Sequence, residues 1–440
     1  MESVTFVTEP LLHEDFVQFE IVVPILERLR DDFELSVAAP QIAPRVRAAL
    51  ERRGIGAIDG GASFPRIRRS RDEIPSYVMS WFRDTLAGSN RKLIEKSLRD
   101  RPGLRVNASM TTACNADVWF IQSRPLGLAL SAIQSSSRLS IRTGISVVRP
   151  VVGPLDVTHI REISRRVHRV VSSTRHVAEW CANHRIHVDG QIPIYYRPIF
   201  RPSTGSPSRD YILAYIGKET DAQALRGLLE SGVPVRLFGS KSPGWVASLV
   251  RPDRWPNVIV YGKVTDEQLR DLYTNARFTA FPFTEESFGL VPVESMACGT
   301  PVLTYGIQGP SETVVRDETG WLVQNRAQFL AKTAELWKIG YPSNVSARCL
   351  ERARIYHLDH VTEQWRALLF QVLSETAATH RRDLREREGA ERPSPVSTGG
   401  SSSNSGSSSP SNRPESAPVE RSIPWGETES VPPVEAAQRV

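Results

Sequence analysis

The sequence predicts an α/β protein with two mostly parallel sheets, one in each half of the chain, and a tail that stays outside the fold. Three observations lead there. Short apolar runs alternate with segments of helical spacing from the first residues onward, the pattern of strands joined by crossover helices. The alternation stops between Ile192 and Ser208, where Pro193, Pro198, Pro202 and Pro207 crowd a short span, and then restarts. From about Gly389 the composition turns to Ser, Gly, Pro and Asn, which cannot bury enough apolar surface to fold. A chain of 440 residues also exceeds one ordinary core. The expected divisions are 1–200, 201–376 and a disordered tail over 389–440.

In the first half the strand-like runs are Val4–Thr8, Leu35–Ala39, Val118–Ile121, Leu139–Thr143 and Arg169–Ser172. Between them Phe16–Leu29, Val46–Arg52 and Tyr77–Leu98 have helical apolar spacing. In the second half the runs Tyr211–Ile216, Val235–Phe238, Val258–Tyr261, Phe278–Phe281, Pro301–Thr304 and Trp321–Val323 read as short buried strands. Helices fit at Ala222–Glu230, Asp266–Ala276 and Val291–Cys298, the second with Thr265 as N-cap and Gln268 completing a capping box. His360 to Ala377 reads as an amphipathic helix that closes the folded part.

Composition excludes several classes. No run of about 18 apolar residues offers a membrane-spanning helix. The first strand begins almost at Met1 without the basic start and apolar centre of a signal peptide. Cys114, Cys181, Cys298 and Cys349 are scattered and form no CxxC pair, so they read as reduced, buried thiols of a cytoplasmic protein. The sequons at Asn107 and Asn344 are then chance matches. The net charge of +6 suits anionic phosphates or an acidic surface. Arg66, Arg68, Arg69 and Arg71 form the one dense basic cluster, read either as a solvated loop or as a peripheral contact with an anionic membrane at its inner face. No interleaved aromatics support nucleic acid as a partner.

The chemistry concentrates between Ala280 and Val302. A buried strand ends at Pro282, a polar turn follows, and Gly289 precedes a helix with Pro292 in its first turn. Gly299 is placed to end that helix in a left-handed cap, and Pro301 starts the next strand. The turn presents the backbone N–H groups of Phe288, Gly289, Leu290 and Val291 at a helix N-terminus, an anion site at the carboxyl edge of a parallel sheet. Glu286 and Glu294 bracket it. Carboxylates repel phosphate but accept hydrogen bonds from hydroxyls. A diphosphate between two polyols fits all three features. The plain alternatives are an exposed turn residue for Glu286 and a helix-surface charge for Glu294.

These residues carry a resemblance. Glu286-Ser-Phe-Gly-Leu-Val-Pro-Val-Glu294 has the two-Glu spacing of the family-4 retaining glycosyltransferases, and Met296-Ala-Cys-Gly-Thr-Pro-Val302 is similar to its continuation. Upstream, Tyr261-Gly-Lys-Val-Thr-Asp-Glu-Gln-Leu269, Leu272-Tyr273 and Ala276 resemble the family pattern; downstream, so do Gly309-Pro-Ser-Glu312, Asp317 and Thr319-Gly-Trp-Leu-Val323. The likeness spans Tyr211 to Val323, and an ordered set of this kind is far more specific than a lone Glu-x7-Glu. It implies a GT-B fold, two Rossmann-like domains facing a central cleft, and a nucleoside-diphosphate sugar as donor substrate with no separate cofactor. It implies that Glu286 lies beside the donor sugar and that Glu294 holds the ribose. The amides of Gly289, Leu290 and Val291 would meet the diphosphate, and Gly262, Lys263 and Val264 would edge the base.

The match weakens elsewhere. The family's Gly-Arg pair after the first donor-domain strand is replaced here by Gly217-Lys218, and Ala222 and Gln223 stand where a second cation belongs. Lys218 is expected to neutralise the leaving diphosphate, with Lys241 or Arg226 as second cation. A Lys lacks the bidentate fork of Arg, so the grip would differ. No Asp-x-Asp sits beside a strand end, and Asp31-Asp32 falls at a helix end, so helix N-terminal amides and lysines are expected to replace a metal ion. The first half has Thr8-Glu-Pro-Leu-Leu-His-Glu-Asp15 in place of a glycine-rich turn, with His13 and Glu14 as candidates to face the cleft and Asp15 as a helix cap. Gln122-Ser-Arg-Pro125 stands where the family has a His, although Val171 to Glu179 resembles its last strand-to-helix turn. The acceptor, whether glycan, lipid-linked or small molecule, is not encoded in a recognisable motif. A catalytically silent GT-B protein that binds nucleotide sugar or a protein partner is the competing reading.

Overall fold

A computed structural model of the chain describes residues 1–12, 14, 17–62, 92–109, 114–122, 164–217, 219–239 and 254–390, with residues 17–18 and 380–390 described by backbone alone. The expected strand Leu139–Thr143, most of the expected helix Tyr77–Leu98, the arginine cluster, His13, Asp15, Lys218, Lys241 and residues 391–440 lie outside the described residues. The chain divides into two compact units, Met1–Arg382 and Asp383–Val440; the fold and the candidate site belong to the first.

The first sheet contains β1 (Glu2–Val7), β2 (Phe33–Ala39), β3 (Gly56–Asp59), β4 (Leu104–Asn107), β5 (Val118–Ile121), β6 (Arg169–Ser172) and β7 (Gly190–Gln191), in the order β3-β2-β1-β4-β5-β6-β7. The second contains β8 (Ile212–Tyr215), β9 (Val235–Phe238), β10 (Val258–Gly262), β11 (Phe278–Phe281), β12 (Val302–Tyr305) and β13 (Gly320–Val323), in the order β10-β9-β8-β11-β12-β13. The paired strands run parallel in both. Both follow the doubly wound order, in which the chain leaves the two central strands in opposite directions. β11, β12 and β13 are buried along their whole length, which suits their largely apolar runs, whereas the edge strand β10 is partly exposed.

Most elements of the second half lie within a residue or two of their expected places. Thr265 caps the helix Asp266–Asn275 and exchanges hydrogen bonds with Gln268, the full capping box. Gly299, at φ +79°, ends the helix Leu290–Ala297 in the left-handed region. In the first half β3, β4 and β7 are additions to the expected pattern. Each is short, and polar or glycine residues dilute its apolar signal. Asn107 is buried and its side-chain oxygen accepts the Ser109 amide, so its sequon has no surface to carry a glycan. All four cysteines are free and buried.

One connected hydrophobic core runs from Val4 through both sheets to Val372. The helix that begins at Leu358, reached from the second half, brings Trp365 against the first sheet. Trp365 is fully buried, edge-on to Phe6 at 5.6 Å and to Phe120 at 5.0 Å between ring centres. Such pairs add about 0.5–1.5 kcal/mol beyond the area they bury. Polar contacts fix the helix in register: Arg366 meets Asp32 at 2.8 Å, and Glu375 meets Arg169 and His168 at 2.6 Å. Asp32, just past the end of the helix Val17–Leu29, is thus paired with an arginine.

Candidate functional site

The crevice of the second sheet opens between β8 and β11, its two central strands. The turns that follow them are stitched together: the Asp221 amide donates to the Pro282 carbonyl at 3.0 Å and the Thr284 amide to the Glu219 carbonyl at 2.7 Å. Lys218 and Lys241, the expected cations, lie outside the described residues.

Glu286 lies in the turn after β11, half-buried, and bends back on its own loop. Its Oε1 accepts the amides of Phe288 and Gly289, each at 3.1 Å. Two of the four amides assigned to an anion, those of Phe288 and Gly289, are thus engaged by a carboxylate from within the loop. The physical reason is local, since a Glu two and three residues ahead of amides that no helix satisfies can reach both. Leu290 and Val291, the first two residues of the helix, keep the N-terminal geometry in which amides have no carbonyl a turn earlier.

Glycines hold this loop. Gly289 has φ +94°, a conformation that side-chain-bearing residues resist. At Gly309 a Cβ would fall 2.4 Å from the Ser287 carbonyl oxygen and 2.5 Å from the Phe288 nitrogen, so the loop after β12 presses directly on the Glu286 turn. The Gly309 amide donates to the Glu286 carbonyl at 3.1 Å, and the Gln308 side chain accepts the Glu286 amide at 2.6 Å.

Glu294, the fifth residue of the helix, is 8% exposed and not the surface charge of the plain alternative. Its Oε2 accepts the Tyr273 hydroxyl at 3.2 Å, and its Oε1 stands 4.0 Å from Nη2 of Arg197. Burial disfavours its charge and pushes its pKa from the ordinary 4.5 up to about 7, with Arg197 and Tyr273 acting in the opposite sense. Burial likewise raises the Tyr273 hydroxyl, and the neighbouring Glu294 adds to it, which keeps Tyr273 a donor. Gly262, Lys263 and Val264 form the end of β10 and its exit; Gly262 has φ +65°, and its carbonyl accepts the Gly239 amide at 3.0 Å. The loops after β9 and β10 are joined there.

The first half meets this loop directly. Thr174 donates its hydroxyl to the Ser287 carbonyl at 2.9 Å. Glu312, on the short helix Pro310–Thr313, accepts the amides of Arg175 and His176 at 2.8 and 2.7 Å, at the start of the helix Arg175–Asn183. A carboxylate of one half therefore caps a helix of the other. Arg197 and Gln308 were not singled out in the sequence. Neither carries a local signal, because what matters about each is a partner far away in the chain. Glu14 lines a groove of about 330 Å³ between the first-half helix Val17–Leu29 and the linker, beside Glu20, Tyr195 and Arg197.

Two parallel sheets of this order, with the candidate site at the edge of the second, make this a GT-B fold. Solved structures agree over most of the chain. The fold is similar to that of sucrose-phosphate synthase from Thermosynechococcus elongatus, with a TM-score of 0.62 and 15% identity over 85% of this chain and 100% of that one. It is also similar to Anabaena HepE solved with UDP, with a TM-score of 0.56 and 13% identity over 84% of this chain and 100% of the other. Residues 254–354 match the family described as Glycosyl transferases group 1. A D-inositol 3-phosphate glycosyltransferase of Nocardiopsis dassonvillei is 30% identical over 195 residues, 37% of this chain and 46% of that protein. The chain thus spans less than half the length of that curated relative.

Proposed function

We propose that the protein is a glycosyltransferase that moves a sugar from a nucleoside diphosphate to an acceptor hydroxyl, with retention of configuration at the transferred carbon. The observation that carries the reading is the pairing of Glu286 and Glu294 around a helix start at the switch point of the second sheet. The group 1 match over residues 254–354 supports it, as do structural relatives solved with UDP.

In this reading Glu294 and Tyr273 face the ribose, where a buried carboxylate gains most from hydroxyl donors. The amides of Leu290 and Val291, with Lys218 and Lys241, meet the diphosphate and take up its charge as the glycosidic bond breaks, without a metal ion. Glu286 faces the donor sugar. With a donor bound, its carboxylate turns from the Phe288 and Gly289 amides toward sugar hydroxyls, and those amides pass to the phosphate. The first sheet supplies the acceptor side, for a glycan, a lipid-linked sugar or a small molecule. Among the described residues no helix is long and apolar enough to cross a membrane. Contact with an anionic membrane surface rests on the arginine cluster at Arg66 to Arg71 alone.

The engagement of the Phe288 and Gly289 amides by Glu286 also favours a second reading, a nucleotide-binding protein that does not transfer. Incubating the full chain with UDP-, GDP- and ADP-sugars and following both binding and release of the free nucleotide separates the two. Binding with slow sugar release supports transferase activity, and binding with none supports the silent reading. Failure to bind any of the three sinks both.

A further inference from the structure

Arg197 stands on the linker between β7 and β8, the segment that joins the two sheets. Its guanidinium faces three carboxylates from both sides of that joint. Nη1 lies 2.7 Å from Asp266, which opens the helix Asp266–Asn275 of the second half, and 3.4 Å from Glu20 on the helix Val17–Leu29 of the first. Nη2 lies 4.0 Å from Glu294. The group also sits 5.2 Å from the centre of the Phe200 ring, which limits its swing. On either side the linker is pinned: Tyr195 donates its hydroxyl to the Glu20 carbonyl, and the Tyr196 amide donates to the Tyr356 carbonyl at 3.1 Å.

We infer that Arg197 is the positioning residue for Glu294, aiming that carboxylate by a charge that it shares with Glu20 of the opposite half. The inference rests on the reading of Glu294 as the nucleotide-facing carboxylate. The groups that bear on Glu294 have signs that make it testable. Burial raises its pKa to about 7; Arg197 and the Tyr273 hydroxyl lower it; Asp266 and Glu20 raise it. Cys298, which caps the end of that helix, is held protonated by its own burial and brings no charge. Removing Arg197 and removing Glu20 must therefore move Glu294 in opposite directions. A merely structural role for either residue produces no such pair of signs.

The coupling has a consequence for substrate. Glu20 draws on the same guanidinium from the first half, so separation of the halves leaves Arg197 to Asp266 and Glu294. The grip on a nucleotide is then tied to how the two sheets sit about the linker.

The test uses the full chain with Arg197→Met, Arg197→Lys and Glu20→Gln. The pH profile of the thermal midpoint, taken as the difference between each protein and the same protein carrying Glu294→Gln, reports the Glu294 titration with no ligand present. Arg197→Met should move it up by about one pH unit, Arg197→Lys should restore most of the parent profile, and Glu20→Gln should move it down. Calorimetry with UDP, GDP and ADP on the same proteins should show Arg197→Met losing about fivefold in affinity near pH 7 and recovering above about pH 8.5. An unmoved titration in Arg197→Met, or the same direction of shift in Arg197→Met and Glu20→Gln, overturns the inference. A parent that binds none of the three nucleotides overturns the nucleotide reading instead, and the ligand-free titration still decides the role of Arg197.

Discussion

The carboxylate of Glu312 and the backbone amide of His176 meet at 2.7 Å, although 136 residues separate them. The pair joins the two sheets at a helix start, with the Arg175 amide on the other oxygen. Glu312→Ala leaves that helix with two unsatisfied N–H groups and should lower stability by about 1–2 kcal/mol. Denaturant midpoints of the two proteins check this. Gln in place of Ala should recover part of the loss, because the amide oxygen still accepts.

The raised pKa of Glu294 makes stability depend on pH in a defined window. The folded state holds the proton from the ordinary 4.5 up to about 7, whereas the unfolded chain releases it near 4.5. Over that interval the folded state binds more protons, so stability falls as pH rises, by about 3 kcal/mol in all. Glu294→Gln should remove this fall, matching the parent near pH 4.5 and exceeding it above 7. Equal slopes in the two proteins would count against the burial of a charged carboxylate.

Substitution should divide the two glutamates. Glu294→Ala removes an acceptor shared by the free nucleotide and the whole donor, a loss of about 1.5–3 kcal/mol or roughly ten- to a hundredfold in affinity. Glu286→Ala frees the amides of Phe288 and Gly289, so nucleoside diphosphate binding should hold or tighten while turnover drops. Calorimetry with the free nucleotide beside turnover on both variants reads the division. Parent-like behaviour in both would dismiss the site assignment.

Gly309→Ala tests the packing of the loops. Its added methyl meets backbone of Ser287 and Phe288 at 2.4 and 2.5 Å, and backbone does not give way as a side-chain tip does. The expected cost is about 1–3 kcal/mol, with nucleotide affinity falling in step because the Glu286 turn must shift. An unchanged midpoint and unchanged affinity would show that the turn is looser than its geometry.

Transfer without a metal has a direct check. Lysines and helix amides stand in for a cation in the proposed mechanism, so EDTA should leave turnover within about twofold of the untreated protein. Abolition by EDTA with recovery on Mg2+ or Mn2+ would overturn that part of the mechanism.

The second half was legible in the sequence because its signals are local. Strands buried on both faces give continuous apolar runs, and Thr265, Gln268 and Gly299 mark helix ends at the places where they act. Glu286 and Glu294 were legible as a pair for the same reason. What the pair touches was not. The self-capping of Glu286 is local, and its reach to amides two and three residues ahead was the signal to use. Arg197, Glu312 and Trp365 act through partners that the chain brings near only after both sheets have formed, and no spacing encodes that. The short strands β3, β4 and β7 were hidden because four residues or fewer, with glycine or polar members, give no period to detect.

Trp365 closes the core of the first sheet against Phe6 and Phe120, yet it is made after every strand of both sheets. On the ribosome, the first sheet therefore waits with one apolar face open until synthesis has passed the second sheet entirely. The amino-terminal half released alone, ending before β8, should emerge sticky and aggregation-prone, whereas supplying residues 345–390 as a separate peptide should rescue its solubility. In order of synthesis the molecule has two halves, but it has a single moment of completion.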